Sequence, residues 1–404
     1  MKQKFLAISA YGKLSLLELA GLRDSKNFDF EISRCAENSA IVEVDENDGK
    51  SFAKRLGGFY KIVKICGESV DELLHNLPLP EEPKFNWTIS CYDCGSDAQE
   101  ETRSEVSDFL KSNSLGKSRF LKPAGEFKNN LAQDGTSELK LRDLAKNVLS
   151  KSDNRVEGLD VVVHCGYGKK LYGYTEYISD VSGFERRDFA RSYQDPTTTV
   201  GPRIARVLVN LCSLQSGSTL LDPFCGLGTI LQESMMCGYN SVGVDISQAN
   251  VRKCFSNLEW FRSEFRISPK LWYRVIRADS TELVADDIPP VHGIATEPLL
   301  VPKFETNPTS MKAEEILRDV RMKYQELIRA FARLIRSNQK AVVVAPEIVD
   351  DRGKLHTIRV EELMESDLSL YRPGIPDLEA ENPCRVPTAK KKTVQRKIYV
   401  MERR

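Results

Sequence analysis

The stretch Leu220-Leu221-Asp222-Pro223-Phe224-Cys225-Gly226-Leu227-Gly228-Thr229 carries the clearest chemical meaning in this chain. Its apolar start reads as a strand that ends in an acid, Asp222. Gly226 and Gly228 then permit positive φ and a close approach of the backbone to a ligand. A helix opening at about Thr229 would offer unpaired N–H groups and a partial positive charge to an anionic group. The next strand ends in Asp245, an acid placed to accept both hydroxyls of a ribose. The third strand region ends in Ala278-Asp279, where a carboxylate can take an adenine amino hydrogen. Three acids therefore cap three successive strands on the side where open α/β sheets bind ligands.

Such a site belongs to a sheet whose strands alternate with helices. From about residue 203 the expected strands are 219–222, 241–245, 273–278, 293–296 and 341–345, with helices over 204–211, 229–237, 248–261 and 312–336. That alternation predicts a parallel sheet covered on both faces. Leu370-Tyr371 and Lys397 to Met401, separated by a Pro-rich basic loop, suit an antiparallel final pair. Before this lies a β-α-β-β-α-β run, with strands near 4–9, 28–33, 40–44 and 60–66, which predicts a ferredoxin-like unit. The prolines at 78, 80 and 83 predict a boundary. A second α+β segment follows, with strands near 87–92, 159–163 and 170–175 and helices near 101–111 and 139–149. The expected domains are thus 1–77, 84–180, a polar connector over 181–200, and a catalytic domain over 201–404.

The 404 residues carry 58 Lys and Arg against 58 Asp and Glu, which excludes a chain that is basic throughout and leaves only local patches to meet phosphates. No run of roughly 18 apolar residues predicts a membrane span, and the N-terminal apolar stretch is too short for a signal peptide. The expected compartment is the cytosol. The scattered cysteines, Cys66, Cys165 and Cys212 among them, read as small buried apolar groups. Cys91-Tyr92-Asp93-Cys94 lacks a second pair at zinc spacing, so no metal is expected.

A dinucleotide site would show a third glycine, but Ile230-Leu231 follow Gly228. An acid before the turn favours a ligand with a cationic end, S-adenosylmethionine. Asp-Pro-Phe-Cys-Gly-x-Gly-Thr, with Gly243-Val244-Asp245-Ile246-Ser247 downstream, resembles the THUMP-domain tRNA guanine-N2 methyltransferases of the position-10 type found in archaea and eukaryotes. The resemblance implies a Rossmann-like class I methyltransferase domain preceded by ferredoxin-like and THUMP-like RNA-binding domains. Arg186-Arg187-Asp188-Phe189 and the turn over 197–202 look like the family's lead-in to the cofactor site, and Arg119 to Pro123 supports the THUMP reading. The cofactor set is then Thr199, Asp222, Pro223, Phe224, Cys225, Gly226, Gly228, Thr229, Asp245, Ile246, Asp279 and Ser280. The resemblance also implies a catalytic motif, usually Asp-Pro-Pro-Tyr, at the end of the fourth strand; Thr296-Glu297-Pro298-Leu299-Leu300 stands there. Glu297 would accept one N–H of a guanine amine, the Pro298 carbonyl the other, and Leu300 would cover the base where the family stacks an aromatic.

Three basic clusters are candidate RNA contacts: Lys117, Arg119 and Lys122; Arg186, Arg187 and Arg191; and Lys390, Lys391 and Lys392, with Arg396 and Lys397 assigned to the same late loop. The implied partners are tRNA and, in some relatives, a small zinc-binding activator protein along the methyltransferase sheet. The alternatives are methylation of an exocyclic amine in ribosomal RNA or DNA, and an RNA-binding protein that kept this fold without its chemistry.

Overall fold

The computed structural model describes residues 2–79, 84–95, 97–113, 118–121, 144, 151–152, 155–156, 158–194, 200–298, 301–376, 382–387 and 392–404. The N-terminal half contains β1 (Lys2–Ser9), α1 (Lys13–Ser25), β2 (Phe30–Ala36), β3 (Ser39–Asp45), α2 (Gly49–Arg55), β4 (Phe59–Gly67) and α3 (Val70–Asn76). It continues with β5 (Asn86–Tyr92), α4 (Ala98–Ser112), β6 (Arg119–Phe120), the ribbon β7 (Lys151–Ser152) and β8 (Arg155–Val156), β9 (Leu159–His164) and β10 (Leu171–Ile178). The expected helix over 139–149 lies outside the described residues except for Leu144, which is buried.

Eight of these strands form one sheet in the order β2-β3-β1-β4-β10-β9-β5-β6. The expected boundary over 78–83 therefore does not divide two sheets, because β10 pairs antiparallel with β4. A buried polar group shows why the halves stay joined. Lys61 Nζ on β4 lies 2.7 Å from Asp160 Oδ2 on β9, and Ser90 on β5 and Thr175 on β10 also bond that carboxylate. Prolines in the sequence between two strands do not decide how those strands pair.

The C-terminal half is entered through α5 (Val181–Phe189) and α6 (Pro202–Leu211). It then runs β11 (Thr219–Asp222), α7 (Thr229–Met236), β12 (Asn240–Asp245), α8 (Gln248–Glu264), β13 (Tyr273–Arg277), β14 (Gly293–Thr296), α9 (Ser310–Leu334) and β15 (Lys340–Val349). β16 (Leu355–Thr357), β17 (Leu368–Leu370), β18 (Cys384–Arg385) and β19 (Val394–Arg403) complete it. The sheet order is β13-β12-β11-β14-β15-β19-β17, parallel from β13 to β15, with β19 antiparallel to both neighbours. Arg396 and Lys397, assigned to the late loop from sequence, instead lie in β19.

α1 is buried on nearly every side, which its all-round apolar sequence demands. Leu16 and Leu19 face the N-terminal core, while Leu14 and Leu17 pack with Ala205 and Leu208 of α6. The contact is close enough that a Cβ on Gly21 would stand 2.6 Å from the Asn210 carbonyl oxygen. Polar groups reinforce it: the buried Glu18 carboxylate accepts from Gly57 N, Gly58 N and Asn210 Nδ2, and Lys340 Nζ reaches Asp24 at 2.9 Å. Cys165, expected as a free buried thiol, is joined to Cys94 in a disulfide. No described helix is long and apolar enough to cross a membrane.

Candidate active site

β11, β12 and β14 end side by side, so Asp222, Asp245 and Thr296 meet at the carboxyl edge of the sheet. Asp222 is 2% exposed. Its carboxylate accepts from Thr296 Oγ1 at 2.8 Å and from Phe224 N at 3.1 Å. Burial pushes its pKa up to about 7, and the neighbouring negative charges of Asp245 and Glu297 push the same way. Thr296 was legible only as part of the strand end; its hydroxyl is what aims Asp222.

The bend after Asp222 is built as its glycines suggest. Gly226 has φ +49°, and its N–H donates to Asp245 Oδ2 at 3.1 Å. Gly228 has φ +90°, caps α7, and a Cβ there would stand 2.9 Å from Cys254 Sγ. Asp245 also accepts from Ser247 N, and both of its oxygens accept from Asn250 Nδ2, a residue five positions on that sequence reasoning missed. Beside it, Ile246 leaves its apolar side chain 65% exposed. Pro223 and Phe224 form the bend itself, and the Pro223 carbonyl is tied down by the buried Ser280 hydroxyl. Cys225 is buried within the α7–α8 core and is held there by Cys225 N bonding Val244 O. Asp279 is exposed and folds back on Thr281 through Oδ1. Thr199 lies outside the described residues.

Glu297 follows Thr296 directly, and its side chain is 8% exposed. Its Oε1 is held by Arg396 Nε of β19, while Oε2 is shielded and has no hydrogen-bond partner among the described residues. Pro298 is buried. Leu300 lies outside the described residues. Phe304, considered as an aromatic for the base, packs half-buried against the α9 core.

The connector arginines correct the sequence reading. Arg187 is 3% exposed and its Nε lies 2.5 Å from Glu233 Oε1, and Arg206 pairs with the other oxygen of the same carboxylate. Arg191 is 2% exposed and donates to Thr229 Oγ1 at 2.6 Å. Both guanidiniums hold the lead-in segment against α7 and stand out of reach of a phosphate. Thr229 thus serves as an acceptor for Arg191. Arg186 is exposed and paired with Glu264. Arg119 and Lys392 are exposed; Lys117, Lys122, Lys390 and Lys391 lie outside the described residues. No group of His, Cys, Asp or Glu suited to a metal occurs among the described residues.

This geometry sits in a segment with known relatives. Residues 190–330 match the family described as UPF0020: RMKL-like, methyltransferase domain. Over 100 residues the chain is 36% identical to a tRNA (guanine(10)-N2)-dimethyltransferase of Methanothermobacter thermautotrophicus, covering 25% of this chain and 27% of that protein. Over 71 residues it is 41% identical to a probable tRNA (guanine(10)-N2)-dimethyltransferase of Methanothermococcus thermolithotrophicus, covering 17% of this chain and 44% of that one. The chain therefore spans less than half the length of these relatives. The solved structure of TrmN from Thermus thermophilus aligns over 99% of this chain and 100% of its own, at 16% identity and a TM-score of 0.52, which shows a shared class I methyltransferase fold.

The crevice fits S-adenosylmethionine on its own evidence. Asp222, Asp245 and Glu297 crowd negative charge around one bend, and burial makes that charge costly for Asp222. A ligand bearing a cationic end relieves that cost, and one bearing a pyrophosphate would worsen it. The half-buried Asp245 and the exposed apolar Ile246 suit a ribose and the face of a base.

Proposed function

We propose that this protein is an S-adenosylmethionine-dependent tRNA methyltransferase that modifies the exocyclic N2 amine of guanine, of the position-10 type. The observation that carries the reading is the acid-lined glycine bend at the strand tips, lying inside the matched methyltransferase segment. Glu297, placed beside Asp222, supports the choice of an amine. The nitrogen lone pair of guanine N2 is delocalised into the ring, so a carboxylate that takes one N–H directs what remains of it. Asp222 would meet the cationic end of the cofactor, Gly226 and Gly228 would let it lie close to the backbone, and Asp245 would take its ribose. When bound, the cofactor supplies an electrophilic methyl group; the chain supplies placement, the main source of rate in a direct displacement.

In the same proposal, β1 to β4 with their two helices form a ferredoxin-like unit, and the β5–β9 region with exposed Arg119 forms a THUMP-like RNA-binding part. The target base would leave its stack to reach the crevice. A small zinc-binding activator would seat on β13, which pairs only with β12 among the described strands and is flanked by exposed Trp272 and Phe255. The proposed compartment is the cytosol.

The test is to incubate the purified protein with labelled S-adenosylmethionine and, separately, unmodified tRNA, ribosomal RNA and duplex DNA. Nucleosides from each are then identified by mass spectrometry. N2-methylguanosine in the tRNA arm alone is the expected result. Label in another arm reassigns the substrate. Cofactor binding with no label in any arm, with and without a co-expressed activator, favours the non-catalytic reading, to which Leu299-Leu300 in place of Pro-Tyr points.

A further inference from the structure

Glu297 carries two oxygens in different circumstances. Oε1 is engaged by Arg396 Nε, and Oε2 is shielded from solvent and unpartnered among the described residues. The two residues lie 99 positions apart, and Arg396 stands outside the matched segment. It reaches the site because β19 runs antiparallel to β15 and puts Arg396 opposite Pro346 of β15, the strand that lies between β19 and β14. We propose that Arg396 is a positioning residue for methyl transfer: it fixes the Glu297 carboxylate through Oε1 so that Oε2 is presented to the substrate amine.

A carboxylate bonded through one oxygen to a guanidinium has lost most of its rotational freedom, so its other oxygen points in one direction. A buried oxygen without a partner costs free energy that a substrate N–H would recover. The nitrogen lone pair forms the new bond to the methyl carbon as the carbon–sulfur pair leaves with sulfur, and the nitrogen sheds one proton. Oε2, in contact with that N–H, is the acceptor. Among the described residues, Arg396 from β19, Asp222 from β11 and the Tyr324 hydroxyl from α9 face Glu297.

The inference rests on the proposed methyltransferase reading, and the experiment separates the two. Wild type, Arg396→Lys and Arg396→Ala are compared for cofactor affinity by calorimetry and for kcat and KM on unmodified tRNA at pH 7. If wild type transfers no methyl group, the function itself fails. Given an active wild type, Arg396→Ala is expected to bind cofactor within about twofold of wild type. Its kcat should fall at least tenfold while KM for tRNA stays within about twofold, because the carboxylate is mis-aimed and not removed. Arg396→Lys should restore part of the lost kcat. An unchanged kcat, or a loss of cofactor binding that parallels the loss of turnover, overturns the positioning role.

Discussion

Burial pushes the Asp222 carboxyl toward its neutral form. Its pKa rises from 3.8 to about 7, chiefly because the carboxyl is buried. The folded state thus keeps a proton that the unfolded chain has already released between about pH 4 and 7. Stability contributed by this group falls as pH rises through that window, by roughly 4 kcal/mol in total. Asp222→Asn should therefore melt higher than wild type at pH 8, with the advantage shrinking toward pH 5, while its affinity for S-adenosylmethionine drops. Thermal scans at the two pH values and calorimetry check both halves. At this scale the sequence spoke clearly where a side chain acts from a strand tip, as with Asp222 and Asp245. It misled where a charged side chain is buried against a distant partner. Arg187 and Arg191 look in sequence like any phosphate-binding arginines, because Glu233 lies 46 residues from one and Thr229 lies 38 from the other. Arg396 was read as a loop cation for the same reason.

The N-terminal sheet depends on the buried Lys61–Asp160 pair, which ties four strands together. Removing one partner strands the other charge. Asp160→Ala is expected to cost about 3–5 kcal/mol, read as a lower denaturant midpoint. Replacing both, as Lys61→Met with Asp160→Leu, should recover most of that loss, because an apolar pair of similar volume avoids the desolvation cost. Elements with strong periodicity were legible to within a few residues: β11 and β14 end where their acid or hydroxyl stands, and α9 shows its apolar stripe over its whole length. Shorter ones were not. α3 escaped the sequence reading although Ser69 and Glu72 form a reciprocal cap at its start. α5 hid in a polar stretch in which Arg187 is buried and Arg186 exposed. The pairing of β4 with β10 joins segments about a hundred residues apart, and local pattern carries no trace of it.

At the scale of the whole molecule, the two halves share more than a linker. Leu14 and Leu17 complete a core whose other members belong to the C-terminal half, and Arg55 reaches Asn210 and Tyr239 across the junction. A fragment of residues 200–404 would expose the α6 face that α1 covers. It should aggregate or unfold well below the full chain; a soluble, cofactor-binding fragment with the intact protein's melting temperature would show the junction to be dispensable. The tight seat of Gly21 on the Asn210 carbonyl of α6 carries a further consequence. A hinge needs slack, and this seam has none, so on the proposed reading the grip on RNA and the reacting bend keep a constant separation. The molecule then works as a calliper. One base pair added to the gripped stem would present a neighbouring nucleotide to the same acids, making the choice of base a question of span before it is one of sequence.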